Sequence, residues 1–262
     1  YVALAFVIAF HSSLQHEIIH GHPTRWPLVN EALVAAPLGF SFPFRRYRDT
    51  HLAHHQDARL TDPYDDPESW YIDPSVWIHL PTWMHGLLTV NNSLFGRMAL
   101  GPGLSFVRFV FSDARAILKG DREIAAAWAL HLAWGAPVLA LLIWAEVSLI
   151  GYALASYAGL SLINMRSFLE HRAEDRVRGR SAIVEGRGLL PLLYLNNNLH
   201  AVHHAHPTLP WASLPSTYRK NKERFLAMNG GYVFPSYWSV IRNFGVKPKE
   251  PAPHPNMSSL GR

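Results

Sequence analysis

Cysteine is absent from the 262-residue chain. That absence rules out disulfides, thiolate-ligated iron–sulfur clusters and thiolate-ligated haem. Charge is scarce as well: Asp, Glu, Lys and Arg make up 16% of residues, against about a quarter in ordinary soluble domains. There is no initiator Met, and the apolar opening Tyr1–Phe10 has neither a basic region before it nor a cleavage site after it, so it is not a signal peptide. No internal repeat, nucleic-acid motif, flavin motif or haem motif is present, and Gly21–Arg25 (GHPTR) is not the HPGG signature of a fused cytochrome b5. A net charge of +5 suits a face turned toward anionic lipid and needs no nucleic-acid partner.

Hydrophobic residues, by contrast, reach 49%. Ile124–Trp144 is an uncharged run of about 20 residues, long enough for a bilayer core. After Ala145 and Glu146 a second run extends to Met165, so the two predict a membrane hairpin rather than a buried helical pair of a soluble enzyme. Arg115, Lys119 and Arg122 precede the hairpin, Arg166, Arg172, Arg176, Arg178 and Arg180 follow it, and Glu146 marks the turn. The excess of positive charge places both open ends in the cytoplasm. Tyr1–His20 predicts the middle or end of another span, as if the chain were truncated at its N-terminus. Leu28–Phe44, interrupted by Asn30, Glu31, Pro37, Gly39 and Pro43, predicts a re-entrant or interfacial segment. Trp83–Leu118 predicts two interfacial amphipathic helices broken at Gly101-Pro102-Gly103. Thr61–Pro74 predicts an acidic, proline-rich loop, residues 172–190 a basic surface loop, and the stretch from about Lys247 a flexible tail.

Histidines carry the chemistry. They cluster as His16 and His20 in HEIIH, His51, His54 and His55 in HLAHH, and His200, His203 and His204 in HAVHH. On a helix, positions i, i+3 and i+4 project from one face, so each cluster can aim its imidazoles at one point. So many nitrogen donors suit iron, zinc or copper, in more than one ion.

These three motifs, in this order and with a hydrophobic hairpin between the second and third, resemble the histidine boxes of membrane fatty acid desaturases. The wider superfamily includes acyl hydroxylases and carotenoid ketolases. The resemblance covers roughly residues 11–220. It implies a single all-α domain over 1–262: an integral membrane helical bundle whose cytoplasmic helical cap holds a histidine-ligated dimetal site. Two non-haem irons are the implied metals, though zinc can replace iron in purified protein, and O2 is the co-substrate. The implied reaction desaturates a fatty-acyl chain or membrane lipid; hydroxylation, or ketolation of a carotenoid, is the alternative on the same fold. His171, after the second hairpin helix, occupies the place of a further ligand and brings the set to nine. Asn197 resembles the asparagine preceding the third box, with a metal-bound water as its expected partner and Asn196 as its rival.

Other expectations are plainer. Glu17, Asp49, Asp57 and Glu170 are candidates to orient imidazole N–H groups, with solvated or capping roles equally open. Electrons must come from a separate donor, a ferredoxin or cytochrome b5-like protein. Its expected docking face is Arg45, Arg46, Arg48, Arg172 and Arg176. His11 reads as a packing residue, His22 and His206 as outer groups near the site, and His79, His85 and His254 as surface or interfacial. His131 is a mid-span polar group that needs a partner. A metal transporter or sensor is disfavoured, because the spans lack the carboxylates of a transport pathway.

Overall fold

The computed structural model describes residues 1–257; Ser258–Arg262 lie outside the described residues, with that part of the expected tail. The chain is mostly helical: α1 (Val2–Ile19), α2 (Pro27–Leu33), α3 (Phe44–His54), α4 (Pro74–Trp77), α5 (Thr82–Asn91), α6 (Leu94–Leu118), α7 (Arg122–Trp144), α8 (Leu149–Glu170), α9 (Leu189–Leu193), α10 (His200–Ala205), α11 (Leu214–Lys220), α12 (Lys222–Met228) and α13 (Tyr237–Phe244). The strands β1 (Ile183–Val184) and β2 (Val233–Phe234) pair in parallel. Two compact units are present: Tyr1–Asp49 with Leu100–Ile163, and Thr50–Ala99 with the chain from Asn164 onward.

Three helices, α1, α6 and α7, are long and apolar enough to cross a membrane. Two of them match expectation. α6 does not: its helix runs unbroken through Gly101-Pro102-Gly103. One proline removes a single ladder hydrogen bond, which a 25-residue helix tolerates. The break falls instead at Asn92-Ser93, where Ser93 Oγ accepts from Gly96 N at 3.2 Å and donates to Val90 O at 2.7 Å. Only glycine fits at 96, because a Cβ there would lie 1.8 Å from Val90 O. α8 contains the second apolar run of the expected hairpin and continues to Glu170. Asn164 and Arg166 lower its hydropathy, and it is not among the three helices that qualify by length and composition.

In the first unit, α1 approaches α8 at Gly159, where a Cβ would stand 2.9 Å from Ala5 O and from Ile8 Cγ2. Small residues are what let helix backbones come this close in lipid. Val34–Pro43 is irregular. Buried backbone outside helices needs partners for its polar groups. Here the Phe40 carbonyl faces His131 Nε2 at 3.2 Å, and the Leu38 carbonyl accepts from the Tyr152 hydroxyl. That is the partner His131 required. Arg46 of α3 makes a two-point ion pair with buried Asp113 of α6, at 3.0 and 2.8 Å, and Trp128 Nε1 of α7 donates to the same carboxylate at 2.8 Å.

The second unit contains a small core of Ile183, Leu199, Ala201, Val202, Leu214, Tyr218 and Phe225. Residues 172–190 are therefore not simply a surface loop: Ala182, Ile183 and Val184 are buried. Ile183 N donates to Tyr232 O, Val184 N to Asn198 O and Ala201 N to Ala182 O, at 3.0, 2.8 and 2.9 Å. β1 thereby fixes the entry to α10. Two residues of strand are too few to announce themselves by alternation. Lys247–Met257, expected to be flexible, is also laid down in this unit, with Ala252 and His254 buried.

Candidate metal centre

In the second unit, the C-terminal end of α3 and the whole of α10 present histidines toward each other. α3 ends in His51 and His54, with His55 one residue beyond, and α10 supplies His200, His203 and His204. His171 follows the last residue of α8. They sort into two groups within this unit: His54, His171, His200 and His204 in one, and His51, His55 and His203 in the other. In each group one ligand-capable atom per residue lies within 4.8 Å of the rest. His16 and His20 stand at the end of α1 in the first unit, with ring centroids 5.0 Å apart.

The inner nitrogens converge. His54 Nε2 and His171 Nε2 are 2.9 Å apart, His171 Nε2 and His200 Nε2 3.0 Å, His51 Nε2 and His55 Nε2 3.0 Å, and His55 Nε2 and His203 Nε2 3.1 Å. His204 Nε2 is buried with no hydrogen-bond partner. Nitrogens bound at about 2.1 Å stand about 3.0 Å apart when they subtend a right angle and about 3.4 Å in a tetrahedron. The observed spacing therefore fits nitrogens that could share a cation within each group.

Outer nitrogens are occupied by acceptors. His54 Nδ1 lies 2.8 Å from Asp66 Oδ1, His51 Nδ1 2.9 Å from Glu68 Oε1, and His204 Nδ1 3.1 Å from Asp57 Oδ1. His200 Nδ1 lies 3.1 Å from Asn197 Oδ1 and 3.4 Å from Glu170 Oε1. A proton held on Nδ1 leaves the Nε2 lone pair for a metal. Asn197 spends its amide on orienting: Oδ1 accepts from His200, and Nδ2 donates to Glu170 Oε1 at 3.3 Å. Asn196, its rival, donates to Trp211 O at 3.2 Å and adopts φ 57° in the turn before α10.

Electrostatics agrees with this division. Burial, helped by the neighbouring imidazoles, holds His171 and His200 well below the usual histidine range. Burial also brings His204 down to about 4 despite Asp57. These three rings are neutral donors. At His54 burial opposes protonation, but Glu68 and Asp66 outweigh it and raise the pKa to about 9. Glu68 is itself held low, against burial, by His54 and His51. Carboxylates here await positive charge at the centre, which a metal supplies as well as a proton does.

Of the carboxylates expected to orient imidazoles, Asp57 stands beside His204 and Glu170 beside His200. Asp49 instead pairs with Arg48 at 2.8 Å. Asp66 and Glu68 hold imidazoles as well, and their one sequence signal is the acidic loop after HLAHH. Two arginines of the expected docking face are already paired, Arg45 with Glu31 at 2.7 Å and Arg46 with Asp113 at 2.8 Å. His254, expected at the surface, is buried with Nε2 3.3 Å from Thr61 Oγ1.

Comparison with known proteins follows the same lines. The family described as "Fatty acid desaturase" matches residues 1–236. A beta-carotene ketolase from Paracoccus sp. (strain N81106 / MBIC 01143) is 26% identical over 225 residues, which cover 82% of this chain and 74% of that protein.

Proposed function

The chain belongs to the fatty acid desaturase family, and from that premise we propose a membrane oxidoreductase that uses O2 and two irons to cleave C–H bonds of an apolar substrate. The observation that carries this reading is the convergence of seven Nε2 nitrogens in two groups, with Nδ1 protons drawn outward by Asp66, Glu68, Asp57 and Asn197. The site proposed is the full set of nine: His54, His171, His200 and His204 for one metal, and His51, His55 and His203 with His16 and His20 for the other. The pattern of three boxes in sequence supports the inclusion of His16 and His20. In desaturation, two irons held by these residues would supply the redox capacity to reduce O2 to two waters with two substrate hydrogen atoms, two external electrons and two protons from solvent. The protein's share is orientation. Glu68 and Asp66 hold His51 and His54, Glu170 and Asn197 hold His200, and burial keeps bulk water from the rings.

A count of crossings supports the membrane arrangement. HLAHH and HAVHH lie in one unit, which supports an even number of crossings between them. Of the three long helices in between, two cross and one does not. α7 and α8 form the crossing pair in this proposal, with the basic flanks and the metal centre on the cytoplasmic face. α6 then lies along the interface. It is the most amphipathic of the long helices and carries Arg97, Arg108, Asp113 and Arg115.

For the substrate, desaturation of a fatty-acyl chain or lipid is the reading taken from the family, with hydroxylation possible on the same centre. Ketolation of a carotenoid ring is a second reading, and the similarity to a beta-carotene ketolase favours it specifically. One experiment separates them. The protein is produced in a bacterial host that makes β-carotene as well as its own acyl lipids, with His54→Ala as control, and both pools are analysed by mass spectrometry. Acyl chains lighter by two hydrogens indicate desaturation. Carotenoids that gain one oxygen and lose two hydrogens indicate ketolation, and a gain of oxygen alone indicates hydroxylation. No product dependent on His54 in any pool overturns the proposal. The electron donor is proposed to be a separate ferredoxin or cytochrome b5-like protein. With Arg46 committed to Asp113, the exposed Arg176 and its neighbours are the part of the basic face left to receive it.

A further inference from the structure

The family match ends at residue 236, yet the segment beyond it touches the metal centre. Lys249 is 9% exposed, and its Nζ donates to the carbonyls of Phe168 at 3.0 Å and His171 at 2.5 Å. It thus caps the end of α8 from outside the helix and holds the backbone of a proposed ligand. Its own backbone is fixed in turn, because Lys249 N donates to Asn92 O at 2.8 Å. Further along, Ala252 O accepts from Ile72 N, and His254 N donates to Ile72 O, at 3.0 and 2.9 Å. The strap is thereby tied to the loop that carries Asp66. His254 Nε2 lies 3.3 Å from Thr61 Oγ1, and Thr61 N donates to Asp66 Oδ2 at 2.9 Å. Asp66 holds His54. The Tyr71 hydroxyl joins both ends: it accepts from Ala173 N at 2.8 Å and donates to Glu250.

Both routes end in one group. His171 is reached directly and His54 through Thr61 and Asp66, and their Nε2 atoms are 2.9 Å apart. We propose that Lys249–His254 is a positioning strap that sets His171 and His54 for the four-imidazole metal, with Lys249 as its principal contact. The proposal rests on the dimetal reading above. A buried lysine that spends its donors on two carbonyls at a helix end is an expensive way to close a tail. It makes sense where those carbonyls fix the position of the next side chain, because ligand placement sensitive to tenths of an ångström needs rigid support.

The test uses the full chain in detergent, stripped with a chelator and titrated with cobalt(II), with bound cobalt per chain and visible ligand-field absorption as readouts. The wild type is expected to take two ions. In Lys249→Met one ion is expected to bind as before, and the other about tenfold or more weaker with an altered spectrum. Lys249→Arg, which keeps donors for the two carbonyls, is expected to recover most of that loss. Should Lys249→Met fail to accumulate, Thr61→Val cuts the strap at its other end and carries the same expectation. If either variant binds both ions with the wild-type spectrum, the strap has no positioning role. Equal weakening of both ions points to general damage and overturns it too. A wild type that binds no cobalt overturns the dimetal reading itself, an outcome distinct from either of these.

Discussion

At the residue scale, the decisive groups are the acceptors behind the histidines. A metal-bound imidazole is a better ligand when its far N–H is held, and loss of such a partner costs about 10–100-fold in metal affinity. Asp66→Asn is therefore expected to weaken metal binding by about that factor, measured by competition with a chromophoric chelator, with little change in helix content by circular dichroism. Wild-type affinity in that variant would remove Asp66 from the site. Glu68→Gln keeps an acceptor for His51 but loses the charge shared by His51 and His54, so a smaller loss is expected, within about tenfold. The histidines themselves were legible, because HxxHH repeats at helical spacing. Asp66 and Glu68 were not. They lie 12 and 17 residues from the rings they hold, and only the folded loop Thr61–Pro74 closes that distance.

At the element scale, what matters is how α3 is held. Arg46, itself only partly buried, pairs with buried Asp113 67 residues away, and Trp128 adds a third point. Removing one partner of a buried pair strands the other charge and costs about 3–5 kcal/mol. Asp113→Asn should lower unfolding stability in detergent by an amount of that order, whereas Asp49→Asn, whose carboxylate is half exposed, should change it by less than about 1 kcal/mol. Equal effects would show that the Asp113 contacts do not anchor α3. The same reasoning applies to the contact between α1 and α8. Gly159→Val forces atoms into Ala5 and Ile8 and should sharply reduce folded yield on size-exclusion chromatography. The long apolar helices were readable from composition alone. The continuity of α6 was not, because glycine and proline mark a likelihood of breaking that the rest of a long helix can override.

For the whole molecule, topology is the open quantity that function depends on, and the absence of cysteine makes it measurable. A single cysteine at Glu146→Cys should react with a membrane-impermeant maleimide in intact cells, while Arg178→Cys should react only after permeabilisation. The reverse pattern would invert the assignment, and equal reactivity would remove α7 and α8 as a crossing pair. Metal removal is the second global lever. A ligand present at 1,000 times its dissociation constant stabilises a fold by about 4 kcal/mol. Chelation should therefore lower the melting temperature, and iron or cobalt should restore it.

The amino-acid order by itself determined the histidine boxes, the helical class, the apolar runs and the family they point to, because each is a local pattern with a period or a length. Tertiary structure decided the rest: which nitrogens converge, which carboxylates hold them, that a two-residue strand fixes α10, and that the tail from Lys247 is a strap. Those features depend on contacts between residues far apart in the chain. Even the absence of cysteine takes its meaning there, since with no thiolate to bind metal the centre is left to imidazoles and to the fold that aims them.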